Sequence, residues 1–168
     1  MLYIGIDPGQ GGGIAWMHRQ GVVVNIDARK MPDTEGEICS LLLSLKQLPG
    51  NCHAAIEAVG PARGRNPDGT TRTQGVSSAF TFGRNYGFLR GCLVALRIPF
   101  EEVLPQRWQR ELGLVVRGSG LTYSDRKNRN KQKAANLFPA VKVTHATADA
   151  LLLMQYVRKT AREEEATQ

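Results

Sequence analysis

Residues 2–16, LYIGIDPGQGGGIAW, determine how the predicted fold begins. Apolar and small residues alternate as far as Asp7, which is the pattern of a half-buried β-strand. Pro-Gly and further glycines follow Asp7 and predict a turn. The next segments, GIAWMHR and VVVNIDA, flank Gln20–Gly21 and predict a β-hairpin. The sequence therefore predicts three antiparallel strands, with an aspartate at the end of the first strand.

The rest of the chain predicts helices that alternate with two more strands. HAAIEAV (53–59) is a short apolar run typical of a buried strand, and PFEEVLP (99–105) predicts a fifth strand. Helices are expected at 34–47 after a Thr34 cap, at 76–97, at PQRWQREL, at 124–138 with Ser124 as the cap, and from about 145 to 162 with Thr144 as the cap. We therefore expect an α/β fold, a five-stranded mixed sheet flanked by helices, formed as a single domain by residues 1–168.

The chain is basic, and its charges are unevenly distributed. It has 168 residues and a formal net charge of +7. Lys and Arg are concentrated in 107–133, whereas acids gather in the final REEEATQ, where 163–168 predict a frayed tail. A basic stretch of this kind predicts a polyanionic partner, most simply nucleic acid. A basic protein without such a partner is the alternative.

Several features indicate a protein that works in a reducing cytoplasm. The apolar runs are far shorter than the ~20 residues of a membrane span, so no membrane association is expected. The start MLYIGID lacks the basic region and cleavage site of a signal peptide. Three cysteines occur without a CxxC spacing, which argues against a disulfide framework or a zinc site.

Two further acidic residues interrupt apolar segments. Asp149 lies within THATADALLL (144–153), and Glu57 lies within AAIEAV. Ionised carboxylates are seldom fully buried without a partner. Each acid taken alone has an alternative interpretation as an edge residue or a salt-bridge partner. Three such acids, with Asp7 included, favour a shared role.

Convergence of the three carboxylates would predict a cation site. Two carboxylates about 4 Å apart repel by about 4 kcal/mol at an effective dielectric constant near 20. Such a site either holds protons at neutral pH or binds cations, and hard divalent cations prefer oxygen ligands. With nucleic acid as the partner, the pattern predicts two-metal hydrolysis of a phosphodiester bond, in which one metal activates water and the other stabilises the leaving oxygen.

An ordered set of segments over roughly residues 2–157 resembles RuvC-type Holliday-junction resolvases, most of all their short bacteriophage versions. The segments are YIGIDPGQGGGIAW, AAIEAV, SSAFTFGRNYGFLRGCL, VLPQRWQREL, AANLFP and THATADALLL. The resemblance implies a ribonuclease H-like fold and a homodimer. It also implies nicking of two strands of a four-way DNA junction with Mg²⁺ or Mn²⁺. By the same resemblance, Asp7, Glu57 and Asp149 are expected to be catalytic metal ligands.

His145 is the nearest candidate for the family's fourth ligand, which lies just ahead of the last aspartate. It stands one helical turn before Asp149, so both side chains are expected on one helix face. His145 is therefore expected to bind metal or to handle the proton of the attacking water. A solvent-facing histidine at the helix start is the alternative. An imidazole ligand suits Mn²⁺ better than Mg²⁺, which predicts higher activity with Mn²⁺.

The resemblance also implies a DNA-binding surface. The segment 60–75, rich in Gly, Pro, Thr and Arg, predicts a mobile loop where resolvases contact the junction centre. Lys131 and Lys133 lie where the family has basic residues near the scissile phosphate, with a solvated helix face as the alternative. The expected DNA-binding residues are Arg63, Arg65, Arg72, Arg126, Lys127, Arg129, Lys131 and Lys133. For Phe80 and Phe82 the pattern favours core packing over contact with bases.

Small residues recur every four positions along the predicted helix 76–97. Gly83, Gly87 and Gly91 lie on one face, although each interior helical glycine costs about 1 kcal/mol relative to alanine. The pattern indicates that another backbone approaches closely. Spacing leaves open whether this is self-association, packing on the sheet or tight packing within the domain. The resemblance assigns the three glycines to the dimer interface.

Other classes of function fit the sequence less well. An actin-like ATPase also begins with an Asp-Gly strand turn, but it needs two such domains and a far longer chain. GQGGGI has Ile14 in place of the third glycine of a dinucleotide-binding loop, so no nucleotide cofactor is expected. The remaining alternatives are a related nuclease that acts on flaps, Y-forks or RNA-containing substrates, and a non-catalytic protein that binds DNA structures.

Overall fold

The computed structural model describes residues 1–58, 64–65, 71–72, 75–115 and 120–165, without the side chains of 64–65, 71–72 and 162–165. The strands are β1 (Leu2–Asp7), β2 (Gly13–Gln20), β3 (Val23–Lys30), β4 (Cys52–Glu57), β5 (Gly64–Arg65), β6 (Thr71–Arg72) and β7 (Phe100–Val103). The helices are α1 (Glu35–Lys46), α2 (Val76–Ala95), α3 (Pro105–Glu111), α4 (Tyr123–Leu137) and α5 (His145–Glu165).

Five strands form one mixed sheet in the order β3-β2-β1-β4-β7. β1, β2 and β3 pair antiparallel, whereas β4 joins β1 and β7 joins β4 in parallel. The predicted five-stranded mixed sheet with three antiparallel first strands is therefore confirmed. The structure adds a short antiparallel pair, β5 and β6, within the segment 60–75.

Alternation along β1 separates the two faces of the sheet. Leu2, Ile4 and Ile6 belong to a core shared with α1 and α2. Tyr3 belongs to a second core, shared with α3, α4 and α5. Asp7 lies an even number of residues from Tyr3, so its carboxylate is on the α5 face of the sheet.

Helix α5 lies against β1 with its backbone in direct contact with the strand. A β-carbon added at Gly5 would overlap the carbonyl oxygen of Ala150 and the amide nitrogen of Met154. At Gly13 on β2, an added β-carbon would lie 2.9 Å from the carbonyl oxygen of Ala146. Glycine at these two positions is therefore what allows the helix to approach the sheet so closely.

Helices α1, α4 and α5 begin at a side-chain cap, whereas α2 and α3 do not. The predicted caps Thr34 and Thr144 are confirmed, since each side chain accepts a hydrogen bond from a backbone N–H in the first turn. The prediction that Ser124 caps α4 is wrong, because the cap is Thr122. The Thr122 hydroxyl accepts from the Asp125 N–H at 3.2 Å, and the Asp125 carboxylate accepts from the Thr122 N–H at 3.0 Å. This reciprocal capping box starts the helix at Tyr123.

Two predictions fall partly outside the described residues. Of the predicted loop 60–75, the structure describes β5, β6 and Gly75. Helix α5 continues to Glu165, beyond the predicted end near 162, and 166–168 lie outside the described residues. None of the described helices is both long enough and apolar enough to cross a bilayer.

The glycines of α2 face outward. A β-carbon built on Gly83, Gly87 or Gly91 would meet no other group within 4 Å in the described part of the chain. Among the described residues, these three glycines therefore pack neither on the sheet nor tightly within the domain. Core packing is wrong for Phe80, which is 74% exposed, whereas Phe82 is half-buried.

We predict that Gly5→Ala strongly destabilises the protein. The added methyl group would overlap the α5 backbone, which cannot move without disturbing the buried residues around it, so a loss of about 3 kcal/mol or more is expected. Urea denaturation followed by circular dichroism measures the loss. Gly36→Ala is the matched control, because Gly36 is an exposed helical glycine with open space around it. The control should be at least as stable as the parent, and equal stability of Gly5→Ala would contradict the close contact.

Candidate active site

Asp7 and Glu57 stand at the ends of two neighbouring parallel strands. The register of β1 and β4 pairs Ile6 with Ile56, and its continuation sets Asp7 beside Glu57. Neighbouring strands lie about 4.8 Å apart. The two carboxylates therefore meet at one edge of the sheet, on the face that carries α5.

Helix α5 adds Asp149 to this pair. Asp149 directly precedes Ala150, whose carbonyl oxygen packs against Gly5, so the helix contact fixes where its carboxylate lies. The Asp149 side chain is 8% exposed. It accepts hydrogen bonds from Lys127 Nζ at 2.6 Å and from Asn130 Nδ2 at 2.9 Å. Both donors lie on α4, three residues apart, which places them on one face of that helix.

The pKa values of Asp7 and Glu57 are both raised in this cluster. Burial, and then the charge of Asp149, raise the pKa of Asp7, while the charge of Lys127 lowers it. Burial, followed by the charges of Asp7 and Asp149, raises the pKa of Glu57 from 4.5 to about 8. The structure thus brings the three acids within electrostatic reach of one another. A pKa of about 8 favours the protonated form of Glu57 at neutral pH.

Lys127 supplies positive charge to this cluster. Burial lowers the pKa of its ammonium group, but the hydrogen bond and charge of Asp149 outweigh burial, and the pKa is raised. The ammonium also lies 6.0 Å from the ring centroid of Tyr123. The sequence predicted a DNA contact for Lys127, and its ion pair with Asp149 was not expected.

Three other residues next to the carboxylates were not predicted from the sequence to belong to the site. Trp108 of α3 is fully buried and donates from Nε1 to Glu57 Oε1 at 3.3 Å. Asn130 is buried beside Asp149. A β-carbon at Gly12 would lie 2.6 Å from Asp7 Cγ, so glycine there leaves room for the carboxylate. Two sequence features could have indicated Trp108 and Asn130. Trp108 is a tryptophan in a short polar helix, and Asn130 lies one helical turn from Lys127.

A cleft of about 480 Å³ opens beside Asp7. Its walls include the loop after Asp7, Tyr123, Lys127 and His145. His145 is the first residue of α5 and is exposed. The structure therefore places His145 on the wall of the cleft, one turn before the buried Asp149, where it is open to solvent.

The basic residues predicted to bind DNA have different surroundings. On α4, Arg126 is exposed, and Arg129, Lys131 and Lys133 are partly exposed. Arg63 lies outside the described residues, as do the side chains of Arg65 and Arg72, whose backbones form β5 and β6. The described part of the predicted DNA surface is therefore the helix that also carries Lys127.

The carboxylate cluster has the donor chemistry of a site for hard divalent cations. Its ligand atoms are carboxylate oxygens, and a positive charge, the Lys127 ammonium, already lies among them. Within the described residues, no group of three or more His, Cys, Asp or Glu side chains is arranged to hold a metal ion. The donor set fits Mg²⁺ or Mn²⁺ in its chemistry, although the side chains are not arranged around one point.

Comparison with known proteins identifies the fold. No family model matches the sequence, and no curated protein does. RuvC from Thermus thermophilus is 16% identical, with 98% of this chain and 97% of that chain covered and a TM-score of 0.61. This chain has the fold of RuvC. The same protein in complex with a Holliday junction substrate gives 15% identity, 97% and 96% coverage and a TM-score of 0.60. The predicted ribonuclease H-like fold is confirmed.

The similarity to RuvC includes the elements that carry the acidic residues. Coverage of 98% of this chain takes in β1, β4 and α5, which hold Asp7, Glu57 and Asp149. At 16% identity the similarity to RuvC shows the fold alone. The chemistry of the site must therefore be inferred from the side chains themselves.

We predict that the metal-free protein loses stability as the pH rises from about 5 to about 8. The pKa of Glu57 is about 8 in the folded protein against an ordinary value of 4.5, so the folded state binds more protons between these pH values. Stability therefore falls with rising pH, by a few kcal/mol at about 1.4 kcal/mol per pKa unit. Glu57→Gln should remove most of this loss.

Urea denaturation in EDTA at several pH values measures the effect. Asp33→Asn is the control, because the Asp33 side chain is 90% exposed and its pairing with Lys30 is at the surface. The control should follow the parent across the pH range. A pH dependence in Glu57→Gln as steep as that of the parent would show that Glu57 is not the responsible group.

Proposed function

We propose that the protein is a structure-selective DNA endonuclease that cuts four-way junctions by metal-dependent hydrolysis and leaves paired nicks. The observation that carries the proposal is the position of Asp7 and Glu57 at neighbouring strand ends, with Asp149 on the helix that packs against β1, in a ribonuclease H-like fold. Buried carboxylates that repel one another are costly for a protein that only binds DNA. They are useful where cations must be held at a phosphodiester bond.

The three carboxylates would hold Mg²⁺ or Mn²⁺ ions, in agreement with the sequence prediction of a two-metal site. Bound metals of this kind lower the pKa of a water molecule and stabilise the leaving oxygen. Asn130 and Trp108 orient Asp149 and Glu57 through hydrogen bonds. Because the pKa of Glu57 is about 8 without metal, metal binding near neutral pH is expected to release a proton from it.

Branched DNA is supported as the substrate by two observations. One solved structure with the same fold is RuvC in complex with a Holliday junction substrate. In this chain, the helix that donates Lys127 to the acidic cluster also carries Arg126, Arg129, Lys131 and Lys133. Cations along one helix beside the cleft are suited to phosphates on either side of the bond to be cut. Arg63, Arg65 and Arg72 are proposed to contact the junction centre.

A homodimer would supply the two active sites that paired nicks require. The outer face of α2 supports this part of the proposal, because Gly83, Gly87 and Gly91 are open and Phe80 is 74% exposed. An exposed phenylalanine beside three glycines gives a second helix an apolar anchor and room for close approach. The partner is therefore proposed to be a second copy of this chain.

The test is cleavage of labelled four-way junction, Y-fork, duplex and RNA–DNA hybrid, with Mg²⁺ or Mn²⁺ and with EDTA. The parent should make symmetric paired nicks in the junction when a metal is present. Asp7→Asn should lower the rate by more than about a hundredfold, beyond the 10–100-fold typical of residues that only orient ligands. Asp33→Asn, an exposed acid outside the cluster, should cut like the parent.

Three results would contradict the proposal. Cleavage of the hybrid in preference to the junction would indicate a nuclease for RNA-containing substrates. Junction cleavage that survives Asp7→Asn would remove the carboxylate cluster from the chemistry. Binding of the junction with no cleavage in either metal would indicate a non-catalytic DNA-structure-binding protein.

The same assay tests the proposed role of His145. The position of His145 on the cleft wall supports a role as a metal ligand or as the group that accepts a proton from the attacking water. With imidazole in the ligand set, the rate should be higher with Mn²⁺ than with Mg²⁺, and His145→Asp should narrow that difference. Equal rates with the two metals in the parent would count against His145 as a ligand.

Sedimentation at micromolar concentration tests the dimer. The parent should sediment as a dimer, and Gly87→Leu should shift it to monomer because the side chain fills the space that a second helix needs. Gly36→Leu, at an exposed helical glycine on α1, is the matched control and should remain dimeric. A monomeric parent, or a dimeric Gly87→Leu, would remove α2 from the interface.

A further inference from the structure

Lys127 lies close to the carboxylates in a way that a DNA-binding lysine does not need. Its Nζ is 2.6 Å from Asp149 Oδ2, and its side chain is 28% exposed. A lysine that only binds a DNA phosphate would extend away from the protein into solvent. Here the ammonium points inward, toward the most buried carboxylate of the cluster.

The charge balance explains this inward position. Asp7, Glu57 and Asp149 are all buried or half-buried, and each pair interacts unfavourably. The charge of Lys127 acts favourably on all three, through the hydrogen bond to Asp149 and through space to the other two. The lysine therefore neutralises part of the charge that a divalent cation would otherwise neutralise.

The two cations cannot both occupy that position. Asp149 Oδ2 faces the ammonium and Asp149 Oδ1 faces Asn130, so both oxygens already have hydrogen-bond donors. A metal ion at Asp149 would face a positive charge at close range. The adjoining cleft of about 480 Å³, which Lys127 itself lines, offers the ammonium a solvated position on the same flexible side chain.

We propose that Lys127 is the internal counter-ion of the metal-free site, and that a divalent cation binds by displacing its ammonium from Asp149 into the cleft. This inference rests on the metal site of the proposed function. It makes metal binding a competition within the protein.

The opposite role for Lys127 makes the opposite prediction. If the lysine served to position Asp149 for the metal, its removal would weaken metal binding. If it competes with the metal, its removal strengthens binding. The direction of the change therefore decides between competition and positioning.

Isothermal titration calorimetry with Mn²⁺ and no DNA measures that direction. Lys127→Met, which keeps the length of the side chain without its charge, should bind Mn²⁺ roughly tenfold more tightly than the parent, or about 1.4 kcal/mol. Lys46→Met, at an exposed lysine of α1 on the opposite face of the sheet, is the matched control and should change the affinity less than about twofold. Equal or weaker Mn²⁺ binding by Lys127→Met would overturn the proposal, as would a parent that binds no Mn²⁺ at millimolar concentration.

Amine labelling of the parent tests displacement without any substitution. A limiting amount of N-hydroxysuccinimidyl acetate should acetylate Lys127 several-fold more in Mg²⁺ than in EDTA, with the exposed Lys46 of α1 as the internal standard in mass spectrometry. Unchanged labelling of Lys127 would overturn the proposal even if the junction is cut. Increased labelling without cleavage of any DNA would instead overturn the proposed nuclease function and leave the competition standing.

Discussion

The direct contact between the backbones of α5 and β1 is the constraint on which the site depends. Gly5 has no side chain, so the carbonyl oxygen of Ala150 can lie against the strand, and Gly13 allows the same approach on β2. This contact brings Asp149, next to Ala150, over the ends of β1 and β4. The parallel register of those strands places Asp7 beside Glu57. The three carboxylates therefore lie near one another because Gly5 has no side chain to hold the α5 backbone away from β1.

Carboxylates this close together repel one another, and the neighbouring side chains offset part of that repulsion. Burial and mutual repulsion raise the pKa of Glu57 to about 8. Trp108 and Asn130 donate hydrogen bonds to carboxylate oxygens, and Lys127 supplies a positive charge. Each of these contributions lowers the cost of charge without removing it. The negative charge that the single ammonium of Lys127 leaves unbalanced is the physical basis of the proposed metal chemistry.

The alternation of apolar residues and the positions of turn residues were sufficient to predict the sheet. Both are local properties of the sequence, along β1 and around β2 and β3. The three acids were recognisable because a charge in an apolar segment is conspicuous. The role of Lys127 was not recognisable, because the sequence shows a lysine in a basic helix and gives no sign of which face packs on α5.

The glycines illustrate the same limit. The regular spacing of Gly83, Gly87 and Gly91 predicted a close approach, but these glycines have open space around them within the described residues. The close contacts are made by the isolated Gly5 and by Gly12 of the glycine-rich turn. Tertiary packing decides such cases, and spacing along one element does not reveal it.

Anomalous diffraction from crystals grown with Mn²⁺ tests the central claim, that the carboxylate cluster is a divalent-cation site, most directly. The expected result is a manganese peak at ligand distance from carboxylate oxygens of Asp7 and Asp149, with Lys127 Nζ withdrawn from the 2.6 Å contact that it makes here. A cluster without a manganese peak at saturating Mn²⁺, with Lys127 still paired to Asp149, would contradict the claim.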